Sequence, residues 1–119
     1  TARFAWEMAS IVNLTRAEMQ GVNLTRANLY KARMDYVLLD DAIMEEAQLM
    51  GAILRYASLT NTLLMEADLE GAELDESNFS RANLRGANLR DVSIENTNFD
   101  DAHLDESVVL EKLRAEQSA

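Results

Sequence analysis

Residues 67–74 read ADLEGAEL and residues 81–90 read RANLRGANLR, and both stretches repeat one five-residue pattern without a gap. In each repeat a small residue, most often Ala, stands two positions before a large apolar residue. Stepping by five from Phe4 to Val109 gives twenty-two positions for the large residue, and every one except Ala9 is filled as the pattern requires. A tandem period that runs through nearly the whole chain decides the fold.

The period excludes an α-helix and a simple amphipathic strand. Five residues advance about 500° around a helix, so the large residues would not form one stripe. Apolar intervals alternate between two and three, whereas an amphipathic strand keeps an interval of two. A short strand followed by a corner fits: the small and large residues point inward, and the next two residues turn. The glycines support this, because each stands at the second corner position, where a type II turn needs a positive φ: Gly21, Gly51, Gly71 and Gly86.

Four corners close a square coil of twenty residues, so residues twenty apart stack at a spacing of about 4.8 Å. The predicted fold is therefore all-β, a quadrilateral parallel β-helix of about 5.5 coils over residues 2–109. Large residues fill its interior in columns, one of which is Met19, Leu39, Leu59, Phe79 and Phe99.

The strings at 67–74 and 81–90 resemble the A(D/N)LXX repeat of the pentapeptide-repeat family, and the resemblance covers residues 2–109. It implies a right-handed quadrilateral β-helix in a short member of the cyanobacterial type. The chain departs from the family pattern at Glu7 and Ala9, which predicts an altered first coil.

The period ends after Ser107, and the tail predicts a cap. An α-helix over 108–116, with Ser107 as its N-cap, would cover the open end of the β-helix and leave 117–119 as a short tail. Its apolar face would consist of Val109, Leu110 and Leu113. The resemblance implies an alternative role for this helix in dimerisation, so we expect a monomer or a dimer through the C-terminal end.

Residues that carry chemistry are scarce among the 119. The absence of Cys excludes disulfides, thiolate zinc sites and Cys nucleophiles. The single histidine, His103, has no companion ligand and is expected to be an ordinary surface residue. Carboxylates that point outward from a flat prism lack the burial that shifts a catalytic pKa. We therefore expect no enzymatic activity, no metal and no other cofactor.

The charge is strongly acidic, with 11 Lys and Arg against 21 Asp and Glu and a net charge of −10. Most of the excess lies in residues 61–119, which hold fourteen acidic and five basic side chains. This field repels nucleic acid and anionic membranes, and it favours either basic partners or simple solubility. We expect a protein partner, no direct binding of nucleic acid and no membrane association. No membrane span or leader is visible; a cytoplasmic location is favoured, and the periplasm or thylakoid lumen stays open if a leader preceded Thr1.

One candidate surface is an acidic stripe, formed by residues that the coil places on one side: Glu73, Asp75, Glu76 and Glu95. The resemblance implies a role for it, because some pentapeptide-repeat proteins bind DNA gyrase as acidic rods that imitate duplex DNA. Three basic residues interrupt the acidic half of the chain: Arg81, Arg85 and Arg90.

A second candidate surface is apolar. Outward positions that should be polar hold Leu38, Ile43, Ile53, Leu63 and Met65, and Tyr36 stacks under Tyr56 twenty residues later. The set predicts a protein contact, although scattered apolar groups on a flat surface would look the same. Asn78 lies under Asn98, which predicts a ladder of side-chain amides.

The sequence favours a non-enzymatic scaffold for protein interactions. Two alternatives stay open: a DNA-mimicking rod that binds gyrase or another topoisomerase, and the recognition module of a larger protein.

Overall fold

Parallel β-bridges join residues twenty apart throughout residues 12–105, the part of the chain that the computed structural model describes. The first bridge pairs Asn13 with Arg33, and the last pairs Asn83 with His103. Each flat side of a coil contributes one bridge residue, and the described residues contain no longer strand and no α-helix. The predicted four-sided parallel β-helix is confirmed for these residues. The predicted boundaries at 2 and 109 and the predicted helix over 108–116 lie outside them.

Four sides recur in order around the rod, and we number them from the first described residue. Side 1 comprises 12–14, 32–34, 52–54, 72–74 and 92–94. Side 2 comprises 17–19, 37–39, 57–59, 77–79 and 97–99. Side 3 comprises 22–24, 42–44, 62–64, 82–84 and 102–104. Side 4 comprises 27–29, 47–49, 67–69 and 87–89.

The corners between sides are β-turns with the predicted geometry. Across one of them the Ala52 N–H donates to the Leu49 carbonyl oxygen at 3.0 Å. All eighteen second corner positions from 16 to 101 have a positive φ, and fourteen of them are not glycine. First corner positions have no positive φ, which gives the type II pattern. A non-glycine residue in this conformation costs about 1 kcal/mol, so contacts between coils must stabilise the corners.

The interior consists of stacked apolar columns. In the column of side 1, Leu54 and Leu74 are fully buried and Ile94 is 3% exposed. In the column of side 2, the rings of Phe79 and Phe99 stack with their centroids 5.6 Å apart. Small residues occupy the neighbouring inward position and leave room for these large ones, which is how a narrow shaft packs without voids. The predicted columns are confirmed.

Three inward positions hold a hydroxyl instead of Ala. The Thr62 Oγ1 donates to the carbonyl oxygen of Leu59 at 2.9 Å, and the Ser77 Oγ donates to that of Leu74. The Thr97 Oγ1 reaches the same Leu74 oxygen at 2.8 Å. No buried side-chain nitrogen or oxygen in residues 12–105 lacks a partner. Small hydroxyl residues are therefore tolerated in the core because each bonds a corner carbonyl.

Most main-chain N–H groups of a repeat bond the neighbouring coils or the corner. The Leu54 N–H donates to the Glu73 oxygen at 2.8 Å, and the Ile53 N–H donates to the Ala32 oxygen at 3.0 Å. The Tyr56 N–H donates to the Asp75 oxygen at 3.1 Å. This ladder leaves one N–H per repeat, that of the first corner residue, in need of a side-chain acceptor.

Asn or Asp in the outward position supplies that acceptor. The Asn78 Oδ1 accepts from the Ser80 N–H at 2.9 Å, and the Asn98 Oδ1 accepts from the Asp100 N–H at 2.8 Å. The same bond recurs in other repeats, including that of Asn13. The amide ladder predicted between Asn78 and Asn98 is not formed, and each Oδ1 accepts from the corner N–H of its own repeat instead. A side-chain bond between coils does occur on side 4, where the Asn88 Nδ2 donates to the Asp68 Oδ1 at 3.2 Å.

Candidate interaction surface

Two tyrosines stack on the outside of the rod, at the corner between sides 1 and 2. The rings of Tyr36 and Tyr56 have centroids 5.0 Å apart and planes within 8° of each other. They are 43% and 47% exposed, and they are the exposed large apolar side chains of the described residues. The stacking predicted from their twenty-residue spacing is confirmed.

Charged groups continue this column in both directions. The Arg16 guanidinium lies 4.4 Å from the centroid of the Tyr36 ring, a cation–π distance. Beyond the tyrosines, the Glu76 Oε1 accepts from the Asn96 Nδ2 at 2.9 Å. Sequence reasoning did not single out Arg16, although its place twenty residues before Tyr36 was a sufficient signal. We name this column the aromatic edge: Arg16, Tyr36, Tyr56, Glu76 and Asn96.

The five outward apolar residues do not form one patch. Ile43 bridges to Leu63 on side 3, and Met65 stands in the corner that follows. Ile53 lies on side 1 and Leu38 on side 2, so these two flank the aromatic edge. All five are partly buried. Since sides 1 and 3 are opposite, only Ile53 and Leu38 can belong to one surface with the tyrosines.

The residues of the acidic stripe lie together on one surface, and one of them, Glu76, also belongs to the aromatic edge. Glu73 lies on side 1, and Asp75 and Glu76 form the corner after it. The Glu95 N–H, one coil further on, donates to the Asp75 Oδ1 at 2.6 Å, and the Ser93 Oγ donates to the same oxygen at 2.7 Å. The Asp75 carboxylate therefore holds two coils together besides contributing negative charge.

Asp40 makes the equivalent contact at the corner between sides 2 and 3. Its Oδ1 accepts from the Thr60 N–H at 2.9 Å, the Thr60 Oγ1 at 2.7 Å and the Ser58 Oγ at 2.6 Å. Burial raises the pKa of this carboxyl, but the bonds from Ser58 and Thr60 outweigh it and leave the pKa below its ordinary value. In these repeats an Asp from the preceding coil replaces the usual outward Asn as acceptor.

Other polar groups in residues 12–105 offer little chemistry. One ion pair is present in this range, between the Arg26 Nε and the Glu46 Oε2 at 3.2 Å. The range holds no cluster of three or more His, Cys, Asp or Glu that could bind a metal, and His103 is exposed. No helix in the range is long and apolar enough to cross a membrane. The predicted helical contacts of Val109, Leu110 and Leu113 lie outside it.

Solved structures share this fold. The fluoroquinolone resistance protein QnrB1, described as plasmid-mediated, gives a TM-score of 0.70 at 20% identity over 76% of this chain and 47% of its own. A pentapeptide repeat protein of the Arabidopsis thaliana thylakoid lumen, AT2G44920, gives 0.63 at 22% identity over 92% and 77%. These likenesses show the fold alone and are consistent with right-handed winding. The chain spans about half the length of QnrB1.

Sequence comparison assigns the family. A search of curated proteins found no significant match. The family model described as pentapeptide repeats matches eight copies, over residues 12–45, 32–71, 42–81 and 62–101. These matches cover most of the part that winds as a four-sided β-helix, and they fall on the repeat that sets its corners and its core. The chain belongs to the pentapeptide-repeat family.

Proposed function

We propose that the chain is a non-enzymatic scaffold for protein interactions, and that its contact surface is centred on the aromatic edge. The observation that supports this is the placement of Tyr36 and Tyr56. The rod has an interior that accepts aromatic rings, as Phe79 and Phe99 demonstrate, yet both tyrosines stand nearly half exposed. The proposal applies equally to a free-standing rod and to the recognition module of a longer protein.

Stacking makes the tyrosines suitable anchors for a partner. Each ring is held by its neighbour at 5.0 Å, and Tyr36 is also covered by the Arg16 guanidinium. A side chain already fixed in place loses little conformational entropy on binding, which improves affinity for a given contact area. Tyrosine and arginine are also enriched among residues that dominate binding energy. Ile53 and Leu38 extend the apolar area on either side of the edge.

A matched pair of variants tests the scaffold. Asn61 and Asn96 already stand at the second corner position with positive φ, so the double variant Y36N/Y56N suits the backbone. On the opposite side, I43N/L63N is the control, since Asn23 and Asn83 occupy the same outward column.

The measurement is quantitative mass spectrometry of proteins captured from a lysate of the source organism, with circular dichroism to confirm folding. We expect Y36N/Y56N to lose specific partners at least about tenfold while I43N/L63N keeps them. Equal capture by the wild type and Y36N/Y56N would remove the aromatic edge from the proposal. Loss of partners only in I43N/L63N would move the contact to side 3.

A second proposal is that the rod imitates DNA and binds DNA gyrase or another topoisomerase. The acidic stripe supports it, because Asp75 and Glu76 are held in fixed positions by Ser93 and Asn96. It ranks second because basic residues of the aromatic edge and its neighbouring corner, such as Arg16 and Arg55, lie on the same surface.

A gyrase supercoiling assay separates the two proposals. If the rod imitates DNA, the wild type inhibits or protects the enzyme, and E73Q/E76Q weakens that effect while Y36N/Y56N retains it. No effect of the wild type at micromolar concentration would remove this proposal and leave the scaffold intact.

A further inference from the structure

Charge along the aromatic edge changes sign from one end to the other. Arg16 stands at the first described coil and Glu76 three coils later, with Tyr36 and Tyr56 between them. The neighbouring column, formed by the first corner residues, also carries charge: Asp35 stands beside Tyr36, Arg55 beside Tyr56 and Asp75 beside Glu76. Arg16, Glu76, Arg55 and both tyrosines are exposed, and Asp35 is partly exposed.

We infer that the partner of this surface is a second copy of the same chain, lying side by side with the first and antiparallel to it. The two-fold axis would pass between the two rods, at the level midway between the coils of Tyr36 and Tyr56. The inference rests on the proposed function, since it names the partner of the same surface. An interface about a two-fold axis brings one patch against itself, so the patch must be complementary to its own reversed order.

The aromatic edge satisfies that requirement in every charged position. Successive coils are evenly spaced, so rotation about the axis brings each coil of this surface opposite a coil of the second copy. Arg16 then faces Glu76 of the second copy, and Tyr36 faces Tyr56 of the second copy. In the neighbouring column Asp35 faces Arg55 of the second copy, and Asp75 faces the uncharged Thr15. Two aromatic contacts at the centre and four pairs of opposite charge follow from one symmetry operation.

Other registers are disfavoured by the same charges. Parallel rods would place Arg16 against Arg16 and Glu76 against Glu76, and like charges in contact oppose association. An axis through the coil of Tyr56 would oppose the two copies of Arg55. The edge between Arg16 and Glu76 spans three coil spacings, about 14 Å. This interface is therefore at the small end of specific ones, and we expect reversible dimerisation in the micromolar range.

Charge reversal at the two ends of the edge tests the arrangement. Arg and Glu both occur at the second corner position with positive φ, so R16E and E76R preserve the backbone preference. R16E would place two carboxylates together at each end of the interface, and E76R would place two guanidinium groups together. Matched controls at the same position on other edges are R81E and E66R, which make the same changes in net charge.

The measurement is sedimentation velocity over a concentration series at low and high salt. We expect the wild type, R81E and E66R to dimerise, and R16E and E76R each to dimerise at least about tenfold more weakly. An equimolar mixture of R16E and E76R should recover the dimer, because every charged contact between the two variants is again attractive. The double variant R16E/E76R should recover it as well.

Three results would overturn the inference. The wild type could stay monomeric at the highest soluble concentration. R16E could dimerise as well as R81E, which would place the contact elsewhere, for example at the C-terminal end. The mixture could fail to recover association that the wild type shows. Heterologous partners lost in Y36N/Y56N but kept in R16E would preserve the proposed function while the dimer fails.

Discussion

Replacing Leu54 with Ala is expected to lower the free energy of unfolding by about 4 kcal/mol. Three buried carbons are lost, worth about 2.4 kcal/mol at roughly 0.8 per methylene. The remainder comes from the cavity, because Met34 and Leu74 cannot move along the axis to fill it. Main-chain hydrogen bonds fix the spacing of the coils: the Met34 N–H donates to the Ile53 carbonyl oxygen at 2.7 Å, and the Leu54 N–H donates to the Glu73 carbonyl oxygen at 2.8 Å.

Ile53→Ala is the control, one residue away on the same side of the coil but pointing outward and only partly buried. It is expected to cost about 1 kcal/mol or less, since its cavity opens to solvent. Urea unfolding followed by far-ultraviolet circular dichroism measures both variants. If L54A costs no more than I53A, the two residues are packed alike and Leu54 does not lie in a closed core.

Three further predictions concern the corners. Gly71→Ala should lower the free energy of unfolding by about 1 kcal/mol from its positive φ alone, and Gly86→Ala should lower it more, because a new Cβ would lie 3.0 Å from the Glu66 Cγ. Thermal unfolding compares the two variants, and equal midpoints would contradict the steric difference. Because the pKa of Asp40 is lowered, its carboxylate stabilises the fold at neutral pH, and this contribution is lost as pH falls from the ordinary pKa of Asp towards the lowered one. D40N should therefore make the unfolding midpoint fall less steeply at acid pH, and an unchanged slope would contradict this. Asn78→Ala removes the acceptor of a corner N–H and should cost about 1 kcal/mol by urea unfolding, whereas N78D should retain most of the stability; equal losses would contradict the corner role.

Much of the fold could be predicted because every repeat has the same pattern of inward and corner residues. An inward pair two residues apart and a corner every five residues leave one arrangement that buries all the large side chains, so Leu54 and Leu74 had to share a column. The twenty-residue spacing also predicted the stack of Tyr36 on Tyr56. The fourteen non-glycine corner residues with positive φ were implied only indirectly, by four glycines at the same position.

The candidate surface was less predictable, because an outward residue can serve a corner hydrogen bond, a contact between coils or a contact with a partner. The stacking of Asn78 under Asn98 predicts a ladder, whereas the main-chain N–H two residues after Asn78 takes its oxygen. Ile43 and Ile53 looked equivalent in the sequence, but they face opposite directions. Arg16 gives no signal as a lone basic residue, and only its spacing of twenty residues from Tyr36 links it to the surface.

Scalar couplings across hydrogen bonds in an NMR spectrum show whether one coil takes twenty residues. We expect a coupling between the Leu54 nitrogen and the carbonyl carbon of Glu73, and another between the Ile53 nitrogen and the carbonyl carbon of Ala32. Couplings from these nitrogens to residues at any other separation would contradict the four-sided coil and every surface built on it.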